Sequence, residues 1–363
     1  MNSSVSANVY SRENPLPTEP ELESGALPLR VVALGGGTGL STLLRGLRRH
    51  VAVPGLPSPG LSGPEPSQIS DLAAVVTVTD DGGSSGRLRK DFNMLPPGDL
   101  RNCMVALSEE EDTLVQLFSH RFKSGSGLEG HNFGNLFVAA LTEITGDFAH
   151  AIQLASRILS TRGSIFPVTT ADATLVARME DGSLVRGETN ITASRSRIAE
   201  LMLDPPGAAA LPETLEAIER ADLISVGPGS LYTSLITNLL VQGIPAALAN
   251  ARGTRVFICN LMTQANESLG LTASEHITRI YEHTHAPIFD YAIVNTAPFS
   301  AETLARYARE YAAPIVADIG RIESLGVRCI VGDFASEGPP VRHNASRVTG
   351  ALLALGQSPA RRS

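Results

Sequence analysis

The sequence predicts an α/β fold: a Rossmann-like parallel sheet flanked by helices, with a small β-rich subdomain. Three observations lead there. A β-branched run, Val31 to Leu34, opens through glycines into leucines at helical spacing, which reads as strand, tight turn, helix. The same order recurs at residues 222–236. Elsewhere, short apolar runs alternate with amphipathic helical segments, the pattern of βαβ units and a parallel sheet.

The first turn carries Gly35, Gly36, Gly37, Thr38 and Gly39. Glycine permits positive φ and lets a phosphate approach main-chain amides without a Cβ in the way. The helix N-terminus behind it offers unpaired N–H donors and partial positive charge. Read against G-x-G-x-x-G, the run has Leu40 at the third glycine position and an extra Gly39; it also lacks a Lys-Ser/Thr pair at Walker spacing, which excludes a P-loop. A tight connection without a ligand remains the alternative for this turn taken alone.

Composition bounds the rest. The 363 residues, 43% hydrophobic and 18% charged, suit a globular protein with a sizeable core. A net charge of −8 argues against a nucleic-acid partner, whose phosphates call for clustered Lys and Arg. Cys103, Cys259 and Cys329 are scattered in apolar runs, which excludes a C-x-x-C zinc site. No apolar run approaches the ~20 residues of a membrane span, and the polar, acidic start is unlike a signal peptide. A cytoplasmic protein is expected.

Along the chain, residues 1–28 are expected to be a disordered tail, 29–355 a single α/β domain and 356–363 a flexible tail. The Pro- and Gly-rich residues 53–68 read as a surface insert. A strand over 72–79 then ends in Asp80 and Asp81, followed by Gly82, Gly83 and Ser84. Ligands bind beyond the carboxyl ends of parallel strands, so these acids fall where a ribose, a base or a metal-bound phosphate is held; an Asp-Gly turn is the plainer alternative.

Asp99 suits the N-cap of the next helix. Arg101 and Asn102 follow in its first turn, where a cation opposes the helix dipole unless an anion is near. A helix over 109–120 precedes a Gly/Ser loop and the cluster His131, Asn132, Asn135, more polar than capping needs, and then an apolar helix over 136–144. Residues 146–160 form another helix. The β-rich subdomain spans about 164–198, with a hairpin turning at Glu180-Asp181-Gly182-Ser183. The second glycine turn holds Gly227, Pro228 and Gly229, with Ser230 placed to cap the following helix. A strand over 256–260, a capping box from Thr272 to Glu275, and strands at 291–295 and 314–318 complete the pattern.

As a set the motifs resemble the bacterial gluconeogenesis factor family, cell-shape regulators related to the 2-phospho-L-lactate transferases of archaea and actinobacteria. The matching segments are GGGTGLSTLLRGL, VVTVTDDGGSSGRLR, PPGDLRNCMVALS, GHNFGNLFVAALTEITGDF and ADLISVGPGSLYTSLITNLLV, with a weaker NLMTQANES. The resemblance implies a transferase-like fold binding nucleotide sugars such as UDP-N-acetylglucosamine. It also implies a role in cell morphology and peptidoglycan precursor supply during gluconeogenic growth, with cell-wall-synthesis regulators as protein partners. Where the family has Gly-Glu, this chain reads Ala265-Asn266-Glu267.

One anion at an exposed helix N-terminus gains about 0.3–1 kcal/mol, whereas micromolar binding needs about 8 kcal/mol. Several loops must therefore act together: Gly36 to Gly39 on a diphosphate, Asp80 and Asp81 on the nucleoside or a metal, and Arg101 on anionic charge. His131, Asn132, Asn135 and the Gly227 to Ser230 loop would close the far side. The resulting expectation is a nucleotide-sugar-binding regulator without assigned catalytic residues, needing no cofactor for binding. The alternative is a transferase moving a phospholactyl-type group from a nucleoside diphosphate, with Mg²⁺ held by Asp80 or Asp81. An NAD(P) oxidoreductase is disfavoured, because no acid closes an uninterrupted strand about 20 residues after the glycines. A homodimer is the assembly that the fold class points to.

Overall fold

Strongly apolar, β-branched runs become strands buried on both faces when helices cover a parallel sheet, and this chain builds such a sheet. The computed structural model describes residues 27–52, 68–109, 113–194, 196–264 and 267–358. The expected N-terminal tail and the 53–68 insert lie almost wholly outside the described residues, as do 359–363 of the expected C-terminal tail; residues 356 and 357 instead close the helix Ala345–Gln357. The strands are β1 (Leu29–Gly35), β2 (Ile69–Val76), β3 (Ser164–Pro167), β4 (Thr174–Met179), β5 (Leu184–Arg186), β6 (Ile198–Asp204), β7 (Leu223–Val226), β8 (Thr254–Ile258), β9 (Tyr291–Asn295), β10 (Arg328–Gly332), β11 (Ala335–Ser336) and β12 (Arg342–His343).

Seven of them form one parallel sheet in the order β10-β9-β8-β7-β1-β2-β3. From β1 the chain moves outward through β2 to β3, then returns to pair β7 beside β1 and moves outward the other way. The strand order therefore reverses between β1 and β7, and the loops leaving those two strands diverge around a crevice. Helix Gly37–Leu47 packs on the sheet beside helices Gly98–Leu107 and Ala345–Gln357. Leu34, Leu40, Leu44, Val75, Ile224 and Phe257 are fully buried between the layers. Among the described residues no helix is long and apolar enough to cross a membrane.

The hairpin at residues 180–183 forms as expected, joining β4 to β5, and β6 completes an antiparallel sheet in the order β5-β4-β6. Its lower boundary needs correction. The run Ile165, Phe166, Pro167 belongs not to the small sheet but to the main one, where β3 pairs in parallel with β2 (Ala74 with Ile165, Val75 with Phe166). Pro167 fits there because β3 is an edge strand, where a missing N–H is tolerated. The small sheet thus runs from 174 to 204 rather than from 164 to 198.

Other departures are local. Residues 314–318 form no strand; Pro314 makes only an isolated bridge to Met262. The strand expected over 72–79 is Ile69–Val76, so Asp80 lies four residues beyond its end. The edge strand β10 and the β11–β12 hairpin gave no periodic signal. The capping box at Thr272 and Glu275 is present with both of its bonds.

Candidate functional site

Where the strand order reverses, two glycine loops face each other. Gly36 is extended, and Gly37 takes φ +62° to start the helix. Gly39 lies against the second loop: a Cβ there would sit 2.4 Å from the Pro228 carbonyl oxygen, so only glycine allows this approach. Buried Asn238 fastens the two sides, its Nδ2 donating to the Gly35 carbonyl at 2.9 Å and to that of Ser234 at 2.8 Å. Between the loops lies a cleft of about 300 Å³ lined by Gly36, Gly37, Thr38, Gly39, Gly229 and Ser230.

The second loop differs from the expected one. Ser230 makes no side-chain cap; its Oγ instead accepts from Gln264 Nε2 at 2.9 Å. Its carbonyl accepts from both Ser234 and Leu235 amides at 3.0 Å, so the chain enters a wide π-type turn over Leu231–Ile236. Such turns interrupt regular helices at functional sites. Asn260, just past β8, accepts from the Gly229 amide at 3.4 Å.

The β11–β12 hairpin closes one end of the cleft. Tyr307 Oη accepts from the Val341 amide at 2.9 Å, and His343 Nε2 lies 3.0 Å from the Cys259 carbonyl. Burial pushes the His343 imidazole down to about 4, so it stays neutral and donates that bond. Arg342 stands exposed at the rim. Among the described residues lining the cleft none is acidic, and Arg342 is its guanidinium.

The acids collect beside the cleft, not in it. Asp99 was expected to cap its own helix, whose N-cap is Pro97; its Oδ2 instead accepts from the Gly37 amide at 2.8 Å. Burial raises its carboxyl to about 6; Asp80 adds to the shift, while the Gly37 bond and Arg101 oppose it. Asp80 Oδ1 accepts from the Gly82 amide at 2.9 Å, an Asx turn. Asp81 Oδ1 is held by the Thr189 amide at 2.9 Å and the Thr189 hydroxyl at 2.6 Å. The small sheet thus reaches the site, bringing Glu188 with it. Burial first, then Asp80, Asp99, Glu267 and Asp81, push the Glu188 carboxyl up to about 9, so it holds a proton at neutral pH. Among the described residues no three His, Cys, Asp or Glu side chains converge as ligands of one metal ion.

The remaining predicted residues form a separate buried network. Ser84 Oγ lies 3.2 Å from His131 Nδ1 and accepts from the Asn132 amide at 3.3 Å, and Asn132 Oδ1 caps helix Phe133–Thr145 by accepting from the Asn135 amide at 3.2 Å. Arg101 and Asn102 adjoin Asp99, and both favour its charged form. Gly35 ends β1 and Gly227 follows directly on β7, and neither lines the cleft. Glu188, Tyr307, Arg342 and His343 escaped the sequence reading, and Asn260 and Gln264 carry no assigned role within the weaker matching segment NLMTQANES. Asn238, a polar residue in the apolar run Leu235 to Leu240, was the one available signal of a buried tether.

A family model described as 2-phospho-L-lactate transferase CofD matches residues 31–335. A Halalkalibacterium halodurans protein named gluconeogenesis factor is 46% identical over 324 residues, covering 89% of this chain and 95% of that protein. A Bacillus subtilis protein of the same name is 41% identical over 327 residues, covering 90% and 98%. A crystal structure of a Bacillus halodurans protein superposes with a TM-score of 0.83 at 45% identity, covering 90% of this chain and 100% of that one.

Proposed function

This chain belongs to the 2-phospho-L-lactate transferase CofD family, together with the gluconeogenesis factors, and from that premise we propose that it is a nucleotide-sugar-binding regulator. Its ligand is of the UDP-N-acetylglucosamine type, and its role is in cell shape and peptidoglycan precursor supply under gluconeogenic growth. On this reading it works in the cytoplasm as a homodimer, with cell-wall-synthesis regulators as partners.

One observation carries the binding step: the cleft at the strand-order reversal has glycine amides on two sides, no acid in its lining and Arg342 at its rim. Main-chain amides around Gly36 to Gly39 take the diphosphate, supported by the helix N-terminus. Arg342 meets the phosphate charge at the rim, where a guanidinium fork matches phosphate oxygens. Asn260 and Gln264 bring amide donors and acceptors for the base or sugar.

A second reading, an active transferase, rests on Asp80, Asp99 and Glu188 beside the first glycine loop. Mg²⁺ keeps several waters and is commonly bound by one or two carboxylates plus substrate phosphates, so the lack of a three-ligand cluster is compatible with it. Thr189 engages Asp81 Oδ1 through two bonds, whereas Asp80 Oδ1 takes only the Gly82 amide, which leaves Asp80 as the less encumbered of the two acids. The ion would supply charge neutralisation on phosphate oxygens.

Titration calorimetry against UDP-N-acetylglucosamine, GDP and NADH with Mg²⁺ present, with released nucleotide assayed in each mixture, separates the readings. UDP-sugar binding without turnover is the expected result. GDP binding with nucleotide release on adding an acceptor would establish the transferase, and no binding to any of the three would overturn the cleft assignment. On the transferase reading Asp80→Ala is expected to abolish Mg²⁺-dependent nucleotide release while leaving UDP-sugar binding in the cleft intact; unchanged release would remove Asp80 from the site.

A further inference from the structure

We propose a second anion site, distinct from the glycine cleft, in which Arg87, Arg101 and Arg121 receive the phosphoryl group of a small molecule. Two of these guanidinium groups are fixed on consecutive carbonyls of one loop. Arg87 Nη2 donates to the Glu129 oxygen at 3.0 Å, and Arg121 Nη1 donates to the Gly130 oxygen at 2.7 Å. Gly130 takes φ +79°, and a Cβ there would lie 3.0 Å from Arg87 Nη2, so a side chain at that position would press on the fork. Arg101 comes from helix Gly98–Leu107, its methylenes packed over Gly134, where a Cβ would meet them at 2.8 and 2.9 Å.

The arrangement leaves donors idle. A guanidinium has five N–H groups in a planar fork, yet Arg87 and Arg121 each spend one on the loop, and Arg101 Nε is buried without a partner. Other arginines of this chain face carboxylates: Arg30 meets Asp222, Arg89 meets Asp172 and Arg255 meets Asp290. Among the described residues none of the three clustered arginines forms an ion pair. Their charges are felt mutually: burial and then Arg121 hold the Arg101 guanidinium down, to about 10, against the pull of Asp99, and burial with Arg87 and Arg121 keeps the His131 imidazole below its ordinary range against Asp91.

Gathered like charges with open bidentate donors are relieved by an oxyanion. A net charge of −8 disfavours a polyanionic partner such as nucleic acid, which leaves a compact phosphoryl group on a small molecule. The site lies between Asp99 and the His131 loop, outside the lining of the glycine cleft. It does not depend on the nucleotide-sugar reading.

The test is calorimetric titration with inorganic phosphate, without nucleotide, on the full chain and on Arg87→Ala, Arg121→Ala and Arg342→Ala. Saturable binding is expected, weakened roughly tenfold in each of the first two variants and far less in Arg342→Ala, whose guanidinium serves the glycine cleft. Loss of phosphate binding only in Arg342→Ala would place the anion in the glycine cleft and overturn the proposal, as would equal affinity in all four proteins or no saturable binding. Both arginines are exposed, so truncation spares the core. Arg121→Lys, which keeps charge but not the fork, is expected to fall between the parent and Arg121→Ala. UDP-N-acetylglucosamine titrated into the same proteins reports the glycine cleft separately, so failure of one site is distinguishable from failure of the other.

Discussion

The two strand-glycine-helix junctions that form the cleft read alike in sequence and differ in structure. After β1, Gly36 and Gly37 lead into a regular helix whose first free amide, on Gly37, is met by Asp99 at 2.8 Å. After β7, Gly227, Pro228 and Gly229 lead into a π-type turn, and the Gly229 amide is met at 3.4 Å by the neutral side chain of Asn260. One junction is anchored by a charge that titrates near neutrality and the other by an amide that does not titrate. A carboxylate stabilises a helix N-terminus for the same reason that a phosphate binds there, so Asp99 and an incoming anion compete for the first junction but not for the second.

The largest expected effect separates the loops sterically. Gly39→Ala puts a Cβ 2.4 Å from the Pro228 oxygen and 2.8 Å from its carbonyl carbon, both main chain. It is expected to cost about 3 kcal/mol, the upper range for overpacking, and to abolish UDP-sugar binding. Gly229→Ala meets the Ser234 Cβ at 3.1 Å and Leu235 Cδ2 at 3.2 Å, one of them the tip of a movable side chain, and is expected to cost about 1 kcal/mol. Thermal denaturation of both variants ranks them; an equal or reversed ranking would show that the contact between the loops is not the tight one.

The next effect is electrostatic. The Asp99 carboxyl is raised to about 6, so the folded protein holds its proton more tightly than the unfolded chain does. The stabilising contribution is fully present below the ordinary value of 3.8 and is lost as pH rises through about 6. Affinity for a UDP-sugar should likewise strengthen severalfold as pH falls through that range, because protonation removes the competing charge. Asp99→Asn keeps an acceptor for the Gly37 amide and should flatten both profiles. A pH profile that survives in Asp99→Asn would assign the titration elsewhere.

The smallest effect tests the second junction. Ser230→Ala removes only the bond from Gln264 Nε2 at 2.9 Å, at a half-buried position, and should shift stability by about 0.5–1 kcal/mol with no change in pH dependence. A loss as large as that of Gly39→Ala would mean that the Ser230 side chain organises the turn after all.

Periodicity and glycine placement are local properties, and the sequence by itself determined what depends on them. Val31 to Leu34 can hide only inside a covered sheet, the Thr272 and Glu275 capping box satisfies its own helix end, and the two glycine turns must follow β1 and β7. Long-range pairing decided the remainder. Ile165 and Phe166 read as part of a hairpin lobe until β2 offers them a parallel partner. Asp99 looks like the cap of its own helix until the fold brings the Gly37 amide to it across 62 residues. Glu188 and Arg342 carried no signal, because their part in the site depends on where a small sheet and a late hairpin dock. Spacing along the chain encodes which face of an element is apolar; only the packed structure decides which unpaired amide or like charge lies opposite a given side chain.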